Sequence, residues 1–131
     1  MNKMRILAVD DSPEVRDYLT ARFSGPDTEV VTAEDGAQAL KLAFERAPDL
    51  ILLDLMMPGL TGFEVCRQLR EDPRTRSVPI IILTVKTEMA DRMKGMQSGA
   101  DFYATKPIDV DWLLSKINLF RSQYRRPLNS A

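Results

Sequence analysis

Four short apolar runs in this chain each end on a chemically demanding residue, and this pattern restricts the fold more than any other feature. Arg5-Ile6-Leu7-Ala8-Val9 runs into Asp10-Asp11, and Leu50-Ile51-Leu52-Leu53 runs into Asp54. Ile80-Ile81-Ile82-Leu83 ends on Thr84, and Phe102-Tyr103-Ala104-Thr105 ends on Lys106-Pro107. Apolar runs of this length between helical stretches read as parallel strands buried on both faces. Ligands of an open parallel sheet bind beyond the carboxyl ends of its strands. Three acids, a hydroxyl and an ammonium group are therefore expected along one edge of one sheet.

The segments between these runs carry helix signals. Ser12-Pro13-Glu14 opens a helix, with Ser12 as cap and Pro13 where a missing N–H costs nothing. Gly25-Pro26-Asp27 ends that segment, and Glu29-Val30-Val31-Thr32-Ala33 forms a second strand, more polar and so placed at an edge. Asp35-Gly36 starts a second helix, which Ala47-Pro48 stops. A breaker-rich loop, Met56 to Gly62, precedes a third helix over 63–70. A fourth helix spans 88–98, with Gly99 as its cap, and a fifth runs from Asp109 to about Tyr124. Alternation of this kind predicts an α/β fold: a doubly wound five-stranded parallel sheet of flavodoxin-like order 2-1-3-4-5, with helices on both faces. Residues 1–124 form the expected domain, and 125–131 a C-terminal tail or the start of a linker.

Composition removes whole classes of function. The chain has 131 residues, a net charge of −1, one cysteine and no histidine. A length of this order suits one domain. Histidine-based triads, histidine–metal sites and phosphohistidine carriers are excluded. Cys66 alone permits no intramolecular disulfide, and it reads as a small buried hydrophobe. Balanced charge gives no electrostatic case for direct nucleic-acid binding. No apolar run approaches the ~20 residues that span a bilayer, and Met1-Asn2-Lys3-Met4 leads straight into the first strand. No membrane insertion and a cytoplasmic location are expected.

Asp10, Asp11 and Asp54 come from strands expected to be neighbours. Carboxylates crowded together either take up protons or share a cation. Oxygen donors without imidazole or thiol suit Mg²⁺, or Mn²⁺, and argue against zinc. A carboxylate can also act as a nucleophile and form an aspartyl phosphate, which makes Asp54 a candidate phosphoacceptor. Phosphoryl transfer needs positioning and charge neutralisation, which a cation and Lys106 would supply, with Thr84 offering a hydroxyl donor. A lone acid at a strand end is ordinary solvated surface. It is the convergence at four strand ends that argues for chemistry.

These pieces, together with Leu55-Met56-Met57-Pro58-Gly59-Leu60-Thr61-Gly62 and Gly99-Ala100-Asp101, resemble the receiver domain of two-component response regulators over about the whole chain. The resemblance implies that Asp54 accepts phosphate from a sensor histidine kinase or phosphotransfer protein. It implies that Asp10, Asp11, Asp54 and the backbone carbonyl of Met56 surround Mg²⁺. It further implies that Thr84 and Lys106 act on the phosphoryl group, that Tyr103 is the switch aromatic, and that a cis bond joins Lys106 to Pro107. In such a domain the output surface is the face of the fourth helix, fifth strand and fifth helix. Met89, Lys94, Asp101 and Lys116 are expected there, for an output partner or a second copy of the chain.

One departure stands out: Val85 follows Thr84 where the family usually has a small residue, and it is expected to narrow phosphate access or crowd Thr84. Met56 and Lys86 hold the two positions that tune phosphoaspartate hydrolysis in the family. Met93 and Met96 are expected in the core, Trp112 in packing, and Arg121, Arg125 and Arg126 at a solvated helix end. Three other readings share parts of the pattern. A flavin mononucleotide binder would need a hydroxyl- and glycine-rich loop where Asp10-Asp11-Ser12-Pro13 stands. An aspartyl-phosphate phosphatase would need an acid at Met56. A phosphate-independent pseudo-receiver has only Val85 in its favour. Turnover of an external substrate is therefore not expected.

Overall fold

Residues 3–86 and 88–130 are described by the computed structural model, the stretch 123–130 by its backbone alone. Ten elements alternate along the chain: β1 (Met4–Val9), α1 (Pro13–Phe23), β2 (Thr28–Ala33), α2 (Gly36–Glu45), β3 (Leu50–Leu53), α3 (Gly62–Glu71), β4 (Ile80–Thr84), α4 (Met89–Gln97), β5 (Phe102–Thr105) and α5 (Val110–Ser130). The strands pair in parallel in the order β2-β1-β3-β4-β5, as the alternation predicts. The helix α5 continues to Ser130, past the end expected near Tyr124. The expected solvation of Arg125 and Arg126 lies outside the described side chains.

Side chains alternate across the sheet, so each central strand feeds two cores. Leu7, Val9, Ile51, Leu53, Ile80 and Ile82 pack toward one face, with Ala39, Ala43, Val65 and Leu69 from α2 and α3. Ile6, Ala8, Leu50, Leu52, Ile81 and Leu83 pack toward the other, with Leu19 and Phe23 of α1 and Leu113, Ile117 and Phe120 of α5. All of β3 and β4 is buried, which is why these runs read as unbroken apolar segments rather than alternating ones. Cys66 lies in the first core and is fully buried.

Local capping follows the sequence signals. The Ser12 hydroxyl accepts from the Val15 N–H, and the Asp35 carboxylate accepts from the Gln38 N–H. Thr61 and Glu64 close a reciprocal capping box at the start of α3. Gly99 ends α4 with a φ of 114°, in the region that favours glycine.

Two expectations about side chains are corrected. Met93 and Met96 are not core filler: they are 54% and 44% exposed, beside Met89 at 69%. The buried residue of α4 is Gly95, so this helix meets the sheet through a position with no side chain, which hydrophobic spacing does not detect. Arg121 is not a solvated helix end. Its guanidinium donates to the Asp27 carbonyl and, at 2.6 Å, to the Thr28 hydroxyl, tying α5 to the start of β2. Trp112 packs as expected, edge-on to Phe102 with ring centres 6.0 Å apart.

Candidate functional site

Strand register brings the expected residues together. Val9 of β1 pairs with Leu53 of β3, so Asp10 and Asp54 leave the sheet side by side. The Asp54 N–H donates to the Val9 carbonyl, and the Asp10 N–H to the Ala33 carbonyl. Thr84 pairs with Thr105, and the Lys106 N–H donates to the Thr84 carbonyl, so the lysine emerges beside the acids. The Lys106–Pro107 bond is cis, as the resemblance implies.

Carboxylate oxygens of Asp10, Asp11 and Asp54 all lie within 4.8 Å of one another. Asp10 and Asp54 are buried, and Asp11 is exposed at the mouth. The Lys106 ammonium sits 2.6 Å from Asp10 Oδ2 and 3.5 Å from Asp54 Oδ2, and bridges the two buried acids. The remaining oxygens are also held: Asp10 Oδ1 accepts from the Ser12 N–H, and Asp54 Oδ1 from the Met56 N–H. Burial pushes the Asp54 carboxyl above its ordinary range. The Met56 N–H, the Lys106 charge and the Thr84 hydroxyl oppose that shift, and the Asp10 charge adds to it. Burial works to lower the Lys106 value, but the Asp10 hydrogen bond and the two carboxylate charges outweigh it, so its affinity for the proton rises. The site is thus set for a positive charge in contact with both buried acids.

These groups line an open depression of about 560 Å³, together with Ser12, Leu55, Met56, Met57 and Thr61. The floor is tight because Gly62, which starts α3, packs directly behind Asp54. A Cβ there would lie 2.5 Å from the Asp54 carbonyl oxygen. Thr84 is fully buried, and its hydroxyl weakly accepts from the Lys86 N–H at 3.4 Å. Val85 is 61% exposed. Tyr103 is only 6% exposed, and its hydroxyl donates to the Lys86 carbonyl at 2.9 Å.

Some contributors have no signature in the sequence. Arg16 donates to the Asp10 carbonyl at 2.8 Å and so anchors the end of β1 from α1. Arg92 donates to the Tyr103 carbonyl and lies over its ring. Both are exposed or half-buried arginines on polar helix faces, and only the packing of helix on sheet gives them a target. A second cavity, of about 280 Å³, lies at the amino ends of the strands between Asp49, Arg74, Val78 and Phe120. It is distant from the acids and holds no comparable cluster.

Known proteins bear out the resemblance. The sequence pattern of the response regulator receiver domain matches residues 6–118. The chain is 45% identical over 113 residues to the response regulator PleD of Caulobacter vibrioides, covering 86% of this chain and 25% of PleD, about a quarter of that protein's length. It is 44% identical over 114 residues to PilH of Pseudomonas aeruginosa, covering 87% of this chain and 94% of PilH. Among solved structures, chemotaxis protein CheY4 of Vibrio cholerae superposes with a TM-score of 0.83 at 32% identity, over 90% of this chain and 98% of that one. A domain match across most of the chain, on the strands that carry the acids, the threonine and the lysine, places this protein in the response regulator receiver domain family of two-component signalling.

Proposed function

We propose that Asp54 is a phosphoacceptor, taking a phosphoryl group from the phosphohistidine of a histidine kinase or phosphotransfer protein. The observation that carries this reading is the meeting of Asp10, Asp11 and Asp54 within 4.8 Å, bridged from one side by Lys106. An Asp54 carboxylate oxygen forms the new bond to phosphorus. The phosphorus–nitrogen bond of the donor breaks, and its electron pair leaves with the imidazole. Transfers of this kind depend on positioning and on neutralising charge at the phosphoryl oxygens.

The donor set fits a hard cation: three carboxylates, with no imidazole or thiolate beside them. Mg²⁺, or Mn²⁺, would be held by Asp10, Asp11, Asp54 and the Met56 backbone carbonyl, and would offset negative charge on the acids and the incoming group. Lys106 supplies a second positive charge that is already in place. The Thr84 hydroxyl is the donor for a phosphoryl oxygen, and Tyr103 carries the change toward the face of α4, β5 and α5. That face meets an output partner or a second copy of the chain. No turnover of an external ester is expected, because Met56 stands where a general acid would be needed. Among the described residues no helix is long and apolar enough to cross a membrane, and a kinase partner of this type places the chain in the cytoplasm.

The test is mass spectrometry of the intact chain after acetyl phosphate with Mg²⁺. One labile phosphate is expected on Asp54, absent in Asp54→Asn and absent without Mg²⁺. No adduct, or an adduct that survives in Asp54→Asn, overturns the reading. Ligand linkage gives a companion measurement: Mg²⁺ at a hundred-fold excess over its Kd should stabilise the chain by about 2.7 kcal/mol. A melt that does not move with Mg²⁺, or moves equally in Asp11→Asn, counts against this metal assignment.

A further inference from the structure

Gly95 stands in the interior of α4, where glycine is among the poorest helix formers, and it is the buried residue by which this helix meets the sheet. A Cβ placed on it would lie 2.9 Å from Ile82 Cδ1, 3.0 Å from Tyr103 Cδ2 and 3.3 Å from Tyr103 Cε2. Contacts at or below 3.0 Å are shorter than carbon atoms tolerate, so the ring occupies the space that any side chain at 95 would need. The ring is held from two other directions. Its hydroxyl donates to the Lys86 carbonyl at 2.9 Å, and the Arg92 guanidinium carbon lies 4.9 Å from its centre. Arg92 also donates to the Tyr103 carbonyl at 3.1 Å, which joins α4 to β5 at the same residue.

We propose that Gly95 is a positioning residue for Tyr103: its missing side chain is the notch in α4 that lets the ring lie inward, and Arg92 closes over it. The Met89, Met93 and Met96 face of α4 then moves with the ring, because helix and ring are in direct contact at the notch. A side chain at 95 biases the tyrosine outward whatever the state of Asp54. The link from ring position to phosphorylation rests on the receiver reading. The notch itself does not, because it consists only of the approach of Gly95 to Ile82 and Tyr103.

The test uses the full chain labelled with 3-fluorotyrosine. The sequence holds three tyrosines, and Tyr103→Phe assigns the signal. In the unsubstituted chain the Tyr103 fluorine should resonate apart from that of Tyr18, which is 45% exposed. Gly95→Ala should shift it to the solvent-exposed position, with a larger hydrogen–deuterium solvent isotope effect. Adding Ile82→Val, which removes the nearest methyl, should bring it part of the way back. An unmoved signal in Gly95→Ala overturns the proposal.

A melting cycle gives an independent answer. Alanine is the better helix former, so Gly95→Ala should raise Tm in a Tyr103→Ala background and fail to raise it when the tyrosine is present. Equal effects in both backgrounds, loss of folding in both included, overturn the proposal. Loss of folding only when the tyrosine is present supports it. Beryllofluoride with Mg²⁺ on the unsubstituted chain separates the two claims: no response there removes the receiver reading while the notch result stands.

Discussion

Single side chains set the chemistry that the site can support. Lys106 touches two buried carboxylates at once, so its charge is committed to the acids before any ligand arrives. Thr84 is buried beside them, and Val85 next to it is turned largely to solvent. Met56 is 48% exposed on the rim of the depression, two residues after Asp54. An apolar thioether cannot orient a water in line with a phosphoaspartate, and Lys86 offers donors but no acceptor. The phosphorylated state should therefore decay more slowly than in Met56→Asn, by several-fold, as followed by loss of label from Asp54. Equal or faster decay in the unsubstituted chain would show that some other group places the water. Each of these residues was legible in the sequence by its place after a strand. The partners that hold them, such as Arg16 on the Asp10 carbonyl, were not, because an arginine on a polar helix face has no pattern that names its target.

At the scale of elements, the ends of strands and helices do the positioning. The start of α3 supports Asp54 from behind. Gly62→Ala would drive a Cβ to 2.5 Å from the Asp54 carbonyl oxygen and 2.8 Å from Leu55 Cα. Backbone cannot swing away, so a loss of about 1–3 kcal/mol is expected in urea denaturation. Thr61→Ala removes only the cap on Glu64 and should cost about 1 kcal/mol. The opposite order of losses would mean that the close approach behind Asp54 is relaxed in solution.

At the other end of the sheet, burial lifts the Asp49 carboxyl above 3.8, against the Arg5 N–H bond and the charges of Arg46 and Arg5. The native chain then binds more protons here than the unfolded chain across that window, so this group's contribution to stability falls as pH rises through it. Asp49→Asn keeps an acceptor for the Arg5 N–H and removes the titration. Its urea midpoint relative to the unsubstituted chain should rise between about pH 3.5 and about pH 7. A relative midpoint that falls over this range reverses the sign and refutes the argument. The helix α4 shows where spacing misleads. Its three methionines follow one helical face, yet that face is exposed, because an aromatic ring from β5 fills the space that a core side chain of α4 would have taken.

The whole molecule joins a charged pocket at one edge of the sheet to a distant helical face. Tyr103 already lies inward in this structure, with its hydroxyl on the Lys86 carbonyl. On the proposed reading, a phosphoryl group on Asp54 would act by favouring an arrangement that the fold already reaches, rather than by creating a new one. A beryllofluoride complex with Mg²⁺, which mimics that group, should produce NMR shift changes running from Asp54 through Thr84 and Tyr103 into α4. Lys94 and Lys116 should report them from above the Phe63 and Phe102 rings, where their ammonium groups sit 4.6 Å from the ring centres. Changes confined to Asp10, Asp11, Asp54 and their neighbours would mean that pocket and face are uncoupled in this chain, and Val85 would be the first residue to exchange for alanine.

The sequence by itself determined the sheet, its strand order and the edge on which Asp10, Asp11, Asp54, Thr84 and Lys106 gather. It could do so because buried parallel strands demand unbroken apolar runs, and polar groups can leave such a sheet only at its ends. Local signals at Ser12, Asp35 and Gly99 likewise placed helix ends, since caps act within a few residues of the chain. Tertiary structure alone decided which face of α4 is buried, that Arg121 binds the start of β2, and that the Tyr103 ring sits against Gly95. These contacts join different elements through shape and single hydrogen bonds, and neither leaves a period in the chain.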